Sequence, residues 1–275
     1  MSISILVLTY NEEINVGACL ESARWSDDVV VLDSFSTDRT VEIARAAAAR
    51  VMQRRFDNYA EQRNYGLRQQ FKYPWVLMLD ADERIPPELH AEMIAATQAA
   101  GPAVALFRMR RRDHLFGQWI RGSSGYPTWF GRLARVGRIR VERPINEEYH
   151  ADGELRDLRG YLDHFPFNKG FAAWIAKHDR YSSMEAQLRL DGGATRLHWP
   201  DLLQRDADRR RRALKALAYR LPLRPVAIFT ALYLLRGGLF EGRAGLTFCL
   251  LRAWYELAID CKLIELQRRR RGESI

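Results

Sequence analysis

The sequence is poor in cysteine and contains no long apolar run free of charge. Its 3 cysteines, Cys19, Cys249 and Cys261, lie in apolar helical patterns without any Cys-x-x-Cys spacing. This odd number argues against a disulfide framework and against a zinc site, so we expect three buried thiols. Because 18 consecutive uncharged apolar residues occur nowhere, an ordinary membrane-spanning helix is not predicted.

The N-terminal segment also lacks the features of a secretory signal. It has no basic region, and its apolar run at residues 3–8 is too short. We therefore expect a first β-strand there and a cytoplasmic protein. With 275 residues, 47% of them hydrophobic, the chain can bury a full core in one large α/β domain with an appendage, or in two small domains.

The positive charge is concentrated at one end of the chain. From Arg205 onward there are 16 Lys and Arg against 7 Asp and Glu, whereas residues 1–204 contain 27 of each kind. Such an asymmetry predicts an anionic partner, either a membrane surface or a nucleic acid.

The first 110 residues alternate between strand and helix patterns. Apolar runs predict strands at residues 3–8, 29–32, 51–54, 75–79 and 104–109, and helical spacing predicts helices at 12–23, from 39 through 49, at 59–71 and at 86–97. This alternation predicts a mostly parallel sheet with helices on both faces. From 110 to about 160 the periodicity weakens, which indicates loops and short strands. Further helices are predicted at 171–190, 225–235 and 244–266.

Polar clusters follow three of the predicted strands, namely Thr9-Tyr10-Asn11, Asp33-Ser34 and Asp80-Ala81-Asp82. Ligands of parallel sheets bind beyond the carboxyl ends of the strands, so these clusters should meet in one crevice. Asp80 and Asp82 would repel each other unless a cation lies between them, and a hard divalent ion suits carboxylate oxygens. The alternative is a turn whose acids cap the helix at Pro86-Pro87.

Four short stretches together resemble family 2 inverting glycosyltransferases with the GT-A fold, in particular bacterial lipopolysaccharide-core glucosyltransferase-like enzymes. They are residues 8–13 (LTYNEE), 31–40 (VLDSFSTDRT), 61–66 (EQRNYG) and 77–83 (LMLDADE). The resemblance continues more loosely through residue 265. It departs from the family at Leu8, where many members have Pro, and at Ser34-Phe35, which replaces Asp-Gly.

The resemblance implies a nucleotide diphosphate sugar donor, with a UDP-sugar expected, and Mg²⁺ or Mn²⁺ held by Asp80 and Asp82. It also implies nucleoside contacts from the 9–12 turn and from Asp33, and a place for Arg63 near the diphosphate. The turn comprises Thr9, Tyr10, Asn11 and Glu12. Alternative interpretations are turn or cap roles for Asn11 and Asp33, and a solvated helix-face arginine at position 63.

The acceptor side of such an enzyme needs a base, and the resemblance implies Glu147, with Glu148 as the competing choice. Relatives carry a Val-His-Glu segment here, whereas this chain has Asn146 in place of the His. The two acids could instead be a surface pair. His164 matches a histidine of these relatives and is expected near the diphosphate or the metal, or else in the core. Candidate acceptor or phosphate contacts complete the set: Trp129, Arg132, Arg135 and Lys169.

These expectations divide the chain into three parts. Residues 1–110 form the nucleotide-sugar-binding half, 111–200 the acceptor side, and 201–275 a basic region of amphipathic helices. Arginines flanking apolar helices favour association with an anionic membrane surface. We expect a peripheral enzyme on the cytoplasmic face of the inner membrane, acting on a lipid-linked glycan. Alternatively, the helices pack on the catalytic domain or form a dimer interface.

Three other functions compete with glycosyl transfer. A nucleotidyltransferase also pairs carboxylates with a metal, but the Gly-rich, Lys/Arg-bearing N-terminal loop expected of that class is missing. A nucleic-acid-binding module would use the arginine clusters, yet the C-terminal segment is apolar, so no nucleic acid partner is expected. A non-catalytic scaffold is the third. No pattern in the sequence selects the sugar, the base or the oligomeric state.

Overall fold

A computed structural model describes residues 2–142, 148–191, 200 and 223–275. The chain forms two compact units. The sheet unit comprises Met1–Trp119 and Tyr126–Lys169, and the helical unit comprises Ile120–Gly125 and Gly170–Ile275.

The sheet unit contains eleven described strands and four described helices. The strands are β1 (Ser4–Thr9), β2 (Val29–Asp33), β3 (Arg50–Gln53), β4 (Trp75–Asp80), β5 (Glu83–Arg84), β6 (Val104–Leu115), β7 (Gln118–Trp119), β8 (Trp129–Arg135), β9 (Ile139–Glu142), β10 (Glu148–Ala151) and β11 (Glu154–His164). The helices are α1 (Glu13–Ser22), α2 (Thr40–Ala46), α3 (Tyr59–Leu67) and α4 (Pro87–Ala99).

The main sheet has the strand order β3-β2-β1-β4-β8-β6-β11-β5, with β7 paired to β6 and a separate hairpin of β9 and β10. Strands β1 to β4 are parallel to their neighbours in this set. Beyond β4 the sheet is mixed, because β8 runs antiparallel to both β4 and β6. The prediction of an α/β fold with a parallel nucleotide half is confirmed, and the mixed half was not foreseen.

Buried apolar residues of the central strands pack on both faces of the sheet. On one face Ile5, Val7 and Leu77 join residues of α1 and α4 in a buried cluster. On the other face Leu6 and Met78 pack with residues of α3. This two-sided burial explains why β1 and β4 are continuous apolar runs in the sequence.

The region after residue 110 differs from its prediction. The strand expected at 104–109 continues to Leu115, and the long strand β11 lies beside it in parallel. Arg108 and Arg112 of β6 form ion pairs with Asp157 and Asp163 of β11. The later part of β6 was not predicted because charged residues stand where a strand would usually show alternating apolar residues.

The helical unit contains α5 (Gly170–Leu190), α6 (Arg224–Thr230) with a π-helical continuation (Ala231–Leu235), a 3₁₀ turn (Gly238–Glu241) and α7 (Gly242–Arg270). Within the described ranges, no helix combines the length and apolar character needed to cross a membrane. The carboxylate of Glu241 accepts hydrogen bonds from the amides of Gly122 and Ser123, which fixes the 120–125 segment within this unit.

One cysteine prediction is wrong. Cys19 and Cys249 are buried as expected, but Cys261 is exposed. It lies on the same side of α7 as the exposed residues Leu257 and Ile264, so the apolar pattern around it belongs to an outer surface of the helix.

Candidate active site

The candidate site begins where the parallel strands β1, β2 and β4 end. Thr9 lies opposite Asp33 in the β1–β2 ladder, and Leu8 lies opposite Asp80 in the β1–β4 ladder. The register thus brings the three polar clusters to one edge of the sheet, as the sequence predicted.

Asp33 is fully buried and is held by four donors. Its carboxylate accepts hydrogen bonds from the Thr9 hydroxyl at 2.9 Å, the Ser36 amide at 2.9 Å and the Gln53 side-chain amide at 3.0 Å, and also from the Ser36 hydroxyl. These bonds tie the ends of β1, β2 and β3 together. Asp33 therefore organises this edge, and its contact with a nucleoside stays a prediction.

The turn after β1 is clamped by the segment after β2. Asn11 has a positive φ of 52°, and its amide donates to the Ser36 hydroxyl at 2.8 Å. Its side-chain oxygen accepts from the Thr37 amide at 2.8 Å, and the Glu12 amide donates to Thr40 Oγ1 at 2.7 Å. Tyr10, by contrast, is 56% exposed. The turn thus fixes its backbone while presenting one aromatic side chain to solvent.

Lys169 closes the other side of this turn. Its Nζ donates to the Tyr10 carbonyl at 3.1 Å and to Glu12 Oε1 at 2.9 Å. Burial, together with the nearby charge of Asp82, raises the pKa of Glu12 above its ordinary value, although bonds from Asn15 and Lys169 oppose this. The ammonium group of Lys169 thereby adds a positive charge at the rim of the site.

Asp80 is bound by two arginines that are buried in the protein. Arg63 of α3 contacts one carboxylate oxygen at 2.7 Å, and Arg132 of β8 contacts the other at 2.8 Å. The side chain of Arg63 is only 3% exposed, so the solvated helix-face interpretation is wrong. Asp80 itself retains 34% exposure. The two arginines fix the orientation of a carboxylate that solvent still reaches.

Glu83 is a buried acid that contacts both Asp80 and Arg132. It is fully buried, accepts a hydrogen bond from the Asp80 amide at 3.0 Å, and pairs with Arg132 at 2.7 Å. Burial alone would lower the pKa of Arg132, but the charges of Glu83 and Asp80 outweigh it and raise the pKa above its ordinary value. The guanidinium therefore stays charged. Glu83 lies in the 77–83 stretch, but no role was predicted for it. Its neighbour Arg132 was expected near the acceptor or a phosphate.

Asp82 lies beside a buried histidine. His164 Nε2 is 3.3 Å from Asp82 Oδ2, and His164 Nδ1 is 2.6 Å from Asp113 Oδ1. Burial and Arg111 lower the pKa of His164, but Asp82 and Asp113 outweigh them and raise it above the ordinary value. Burial raises the pKa of Asp113, yet Arg111 and His164 bring it below its ordinary value.

The sequence did not identify Asp113. The parallel pairing of β6 with β11 sets it opposite His164, and these residues are far apart along the chain. Its one local signal is the polar run Arg110-Arg111-Arg112-Asp113-His114, which lies beyond the predicted end of the strand.

The carboxylates at this edge fit a divalent cation that is shared with a phosphate-bearing substrate. No group of three or more His, Cys, Asp or Glu among the described residues has the arrangement of a complete metal site. Mg²⁺ is commonly bound by only one or two carboxylates, with substrate phosphates and waters filling the remaining positions. Asp80 and Asp82 are carboxylates of that type, and their binding of a metal stays a prediction.

The remaining predicted residues are distributed as follows. Glu147 lies outside the described residues, and Glu148 is exposed at the start of β10. Asn64 forms two hydrogen bonds with the backbone of Val141. Arg135 donates to the carbonyls of residues 104 and 101, so its guanidinium serves the fold.

Comparisons with known proteins give the family. A model described as glycosyl transferase family 2 matches residues 4–161. The lipopolysaccharide core biosynthesis glycosyltransferase LpsC of Rhizobium meliloti (strain 1021) is 28% identical over 202 residues, covering 70% of this chain and 73% of that protein. An uncharacterized glycosyltransferase of Rickettsia typhi is 35% identical over 92 residues, covering 33% of this chain and 31% of its own.

Solved structures are similar at lower levels. The 1–349 fragment of S. aureus TarS is 14% identical with a TM-score of 0.47, covering 99% of this chain and 92% of that one. Glucosyl-3-phosphoglycerate synthase from Mycobacterium tuberculosis is 24% identical with a TM-score of 0.35, covering 40% of this chain and 44% of its own. Because the family model spans more than half of the sequence, the chain belongs to glycosyl transferase family 2.

Proposed function

We propose that the protein transfers a sugar, with inversion, from a nucleotide diphosphate sugar to a lipid-linked glycan of a bacterial surface polysaccharide or lipopolysaccharide. The observation that carries the proposal is the edge at which Asp33, Asp80 and Asp82 follow neighbouring parallel strands. Family membership and the similarity to LpsC support it independently.

The donor would bind across the ends of β1 and β2. We call the carboxyl ends of β1, β2 and β4, with Asp33, Asp80 and Asp82, the donor edge. The 9–12 turn would receive the nucleoside, with the exposed ring of Tyr10 available to stack on a base. Asp33 would keep this turn in place through its bonds to Thr9 and Ser36. A UDP-sugar is the donor we expect.

The diphosphate would lie beside Asp80 and Asp82. A bound Mg²⁺ or Mn²⁺, held by Asp82 with Asp80 and His164, would offset the charge that develops on the departing diphosphate. Arg63 and Arg132 hold Asp80 in one orientation, which favours a preorganised site. Lys169, at the rim, would add a further positive charge toward the phosphates.

The acceptor hydroxyl requires a base, and Glu147 remains our assignment. The segment 143–147 connects β9 to β10, and Glu148 follows directly as the alternative. A carboxylate in this position would take the proton as the hydroxyl attacks the anomeric carbon.

Membrane association is proposed for the helical unit. Leu235 and Phe240 are 81% and 88% exposed, and α7 presents further exposed apolar residues at spacings of four and seven: Leu246, Leu250, Leu257 and Ile264. Such spacing forms one stripe along a helix. Arginines at both ends of α7 would meet anionic headgroups on the cytoplasmic face of the inner membrane. A lipid-linked acceptor is consistent with this location.

The proposal is tested by assaying metal-dependent transfer from UDP-sugars labelled either in the sugar or in the α-phosphate. We expect the sugar label alone to reach the acceptor, and Asp82→Ala to reduce transfer by at least about 10³-fold while the protein stays folded. Asp152→Ala, on an exposed loop, is the matched control. Transfer of the phosphate label would indicate a nucleotidyltransferase, and full activity of Asp82→Ala would refute the metal assignment.

A further inference from the structure

A second cluster of charged and aromatic residues lies on the sheet beside the donor edge. In the register of β8, β6 and β11, Trp129 pairs with Arg110, and Arg110 pairs with Tyr161. Directly paired residues project on the same face of a sheet, so the three side chains stand in one row. We call this row, together with Tyr126, the arginine–aromatic face.

Arg110 differs in its contacts from Arg108 and Arg112, which lie two residues before and after it in β6. Arg108 is bonded through two nitrogens to Asp157, and Arg112 is bonded in the same way to Asp163. In the described part of the chain, Arg110 has no carboxylate at ion-pair distance. Its guanidinium carbon lies instead 5.5 Å from the centre of the Trp129 ring and 5.8 Å from that of Tyr126.

The charge of Arg110 is therefore held against aromatic rings. Its Nε is buried and has no hydrogen-bond partner among the described residues. Aromatic contacts stabilise a guanidinium but leave its planar fork able to bind an anion. Trp129, at 37% exposure, offers an apolar ring surface next to that fork.

The arginine–aromatic face lies next to strand β10 and next to the arginine that contacts Asp80. Gly131 of β8 pairs with Arg108, and a Cβ at Gly131 would lie 3.3 Å from the ring of Tyr149 in β10. The segment that carries Glu147 leads directly into β10. In the other direction, Arg132 follows Gly131 and contacts Asp80. A molecule on this face would thus lie between Asp80 and the described strand β10.

We propose that the arginine–aromatic face is the acceptor subsite and that it selects a saccharide bearing a phosphate or a carboxylate. This inference rests on the proposed glycosyl transfer. A sugar ring has apolar C–H faces that pack on an aromatic ring, while an anionic substituent pairs with a guanidinium through two hydrogen bonds. A neutral saccharide would use the rings but would leave the charge of Arg110 without a counter-ion.

The test measures direct binding of defined saccharides by isothermal titration calorimetry. Glucose 6-phosphate is compared with glucose, and tetragalacturonate is compared with maltotetraose, so that phosphate and carboxylate are separated. We expect at least one acidic probe to bind about tenfold or more tightly than its neutral counterpart. Equal binding within both pairs, or no binding of any probe, would overturn the proposal.

Variants then locate the binding. Arg110→Gln should abolish the preference for the acidic probe, Arg110→Lys should retain part of it, and Trp129→Ala should weaken both acidic and neutral probes. Trp129→Phe keeps a ring if the alanine variant does not fold. Arg156→Gln, an exposed arginine of β11, is the control and should bind as the wild type does. An unchanged preference in Arg110→Gln would contradict the assignment.

Hydrolysis of the donor in the absence of acceptor, in which water takes the sugar and the nucleoside diphosphate is released, separates the two hypotheses. Wild type and the Arg156→Gln control should both release nucleotide in this way. Normal release with no anionic preference would refute the acceptor subsite alone. Selective binding in a protein that never turns over a nucleotide sugar would refute the proposed function and, with it, the role of this face as an acceptor subsite.

Discussion

The two units of the protein differ in how many large apolar side chains they expose to solvent. Among the described residues, the sheet unit exposes seven large hydrophobic side chains, whereas the smaller helical unit exposes fifteen. The polar groups at the donor edge of the sheet unit are bonded to one another in the protein interior. The contrast identifies the helical unit as the part of the described structure on which the proposed membrane association rests.

The strongest test of this contrast removes an internal bond of the sheet unit. Arg132→Met removes the partner of the buried Glu83 at 2.7 Å and leaves only the more distant Arg111, at 3.9 Å, of its two arginine ion pairs. Breaking a buried ion pair in this way costs about 3–5 kcal/mol, so we expect a large fall in the urea midpoint. The matched control is Arg135→Met on the same strand, which loses two hydrogen bonds to carbonyl groups and the contact of its guanidinium with the Trp75 ring at 4.5 Å, but no ion pair with a buried acid, so a smaller loss of about 1–2 kcal/mol is expected. Equal losses of stability in the two variants would contradict the larger contribution expected of the Arg132–Glu83 ion pair.

The next test addresses the exposed apolar surface of the helical unit. Leu235→Ser and Phe240→Ser each remove a side chain whose burial in a bilayer would contribute about 1.5–3 kcal/mol. We expect each to weaken sedimentation with anionic vesicles by roughly tenfold or more. Ile14→Ser, at an apolar position of the sheet unit that is 61% exposed, should leave sedimentation unchanged. Vesicle binding that does not respond to either serine would assign this surface to protein contacts instead.

A smaller effect concerns pH and the interior of the helical unit. His178 stacks on Trp174 with ring centres 3.6 Å apart, and burial lowers its pKa from 6.5 to about 4. The unfolded chain therefore binds this proton more readily, so the stability it contributes is present above pH 6.5 and is lost as pH falls toward 4. We expect wild type to lose on the order of 1 kcal/mol between pH 7 and 5 that His178→Phe does not lose. Parallel losses in urea titrations of both proteins would contradict this.

The smallest effect tests how α3 delivers Arg63 to the donor edge. Asn58 caps this helix, and its side chain accepts a hydrogen bond from the Glu61 amide at 3.0 Å. Asn58→Ala should cost about 1 kcal/mol, whereas Asn58→Ser can still accept the bond and should cost only a few tenths. Thermal unfolding of the two variants measures the difference, and a stability in Asn58→Ala equal to that of the serine variant would exclude the cap.

Much of the sheet unit could be predicted because its signals are local. The buried strands β1, β2 and β4 are continuous apolar runs, and the polar residues that follow them mark the strand ends. Asp80 and Asp82 were identified for this reason, before their surroundings were known.

The remainder depends on pairing between distant segments. The extension of β6 and the position of Asp113 beside His164 follow from the parallel register with β11, about 50 residues further along the chain. Arg63 looked like a surface residue or a phosphate ligand because the sequence cannot indicate that α3 directs it into the interior against Asp80. In each case, the side chain's partner was determined by tertiary pairing and not by its neighbours in the chain.

The position of β1 has a consequence for hydrogen exchange. Because β1 is bonded to β2 on one side and to β4 on the other, we expect its amides to be among the best protected in the sheet. Such amides exchange only when the whole unit opens. The exchange rates of the β1 amides should consequently change little when a nucleotide binds. The added protection should appear in the amides of the 9–12 turn, which makes that turn the natural reporter of donor binding.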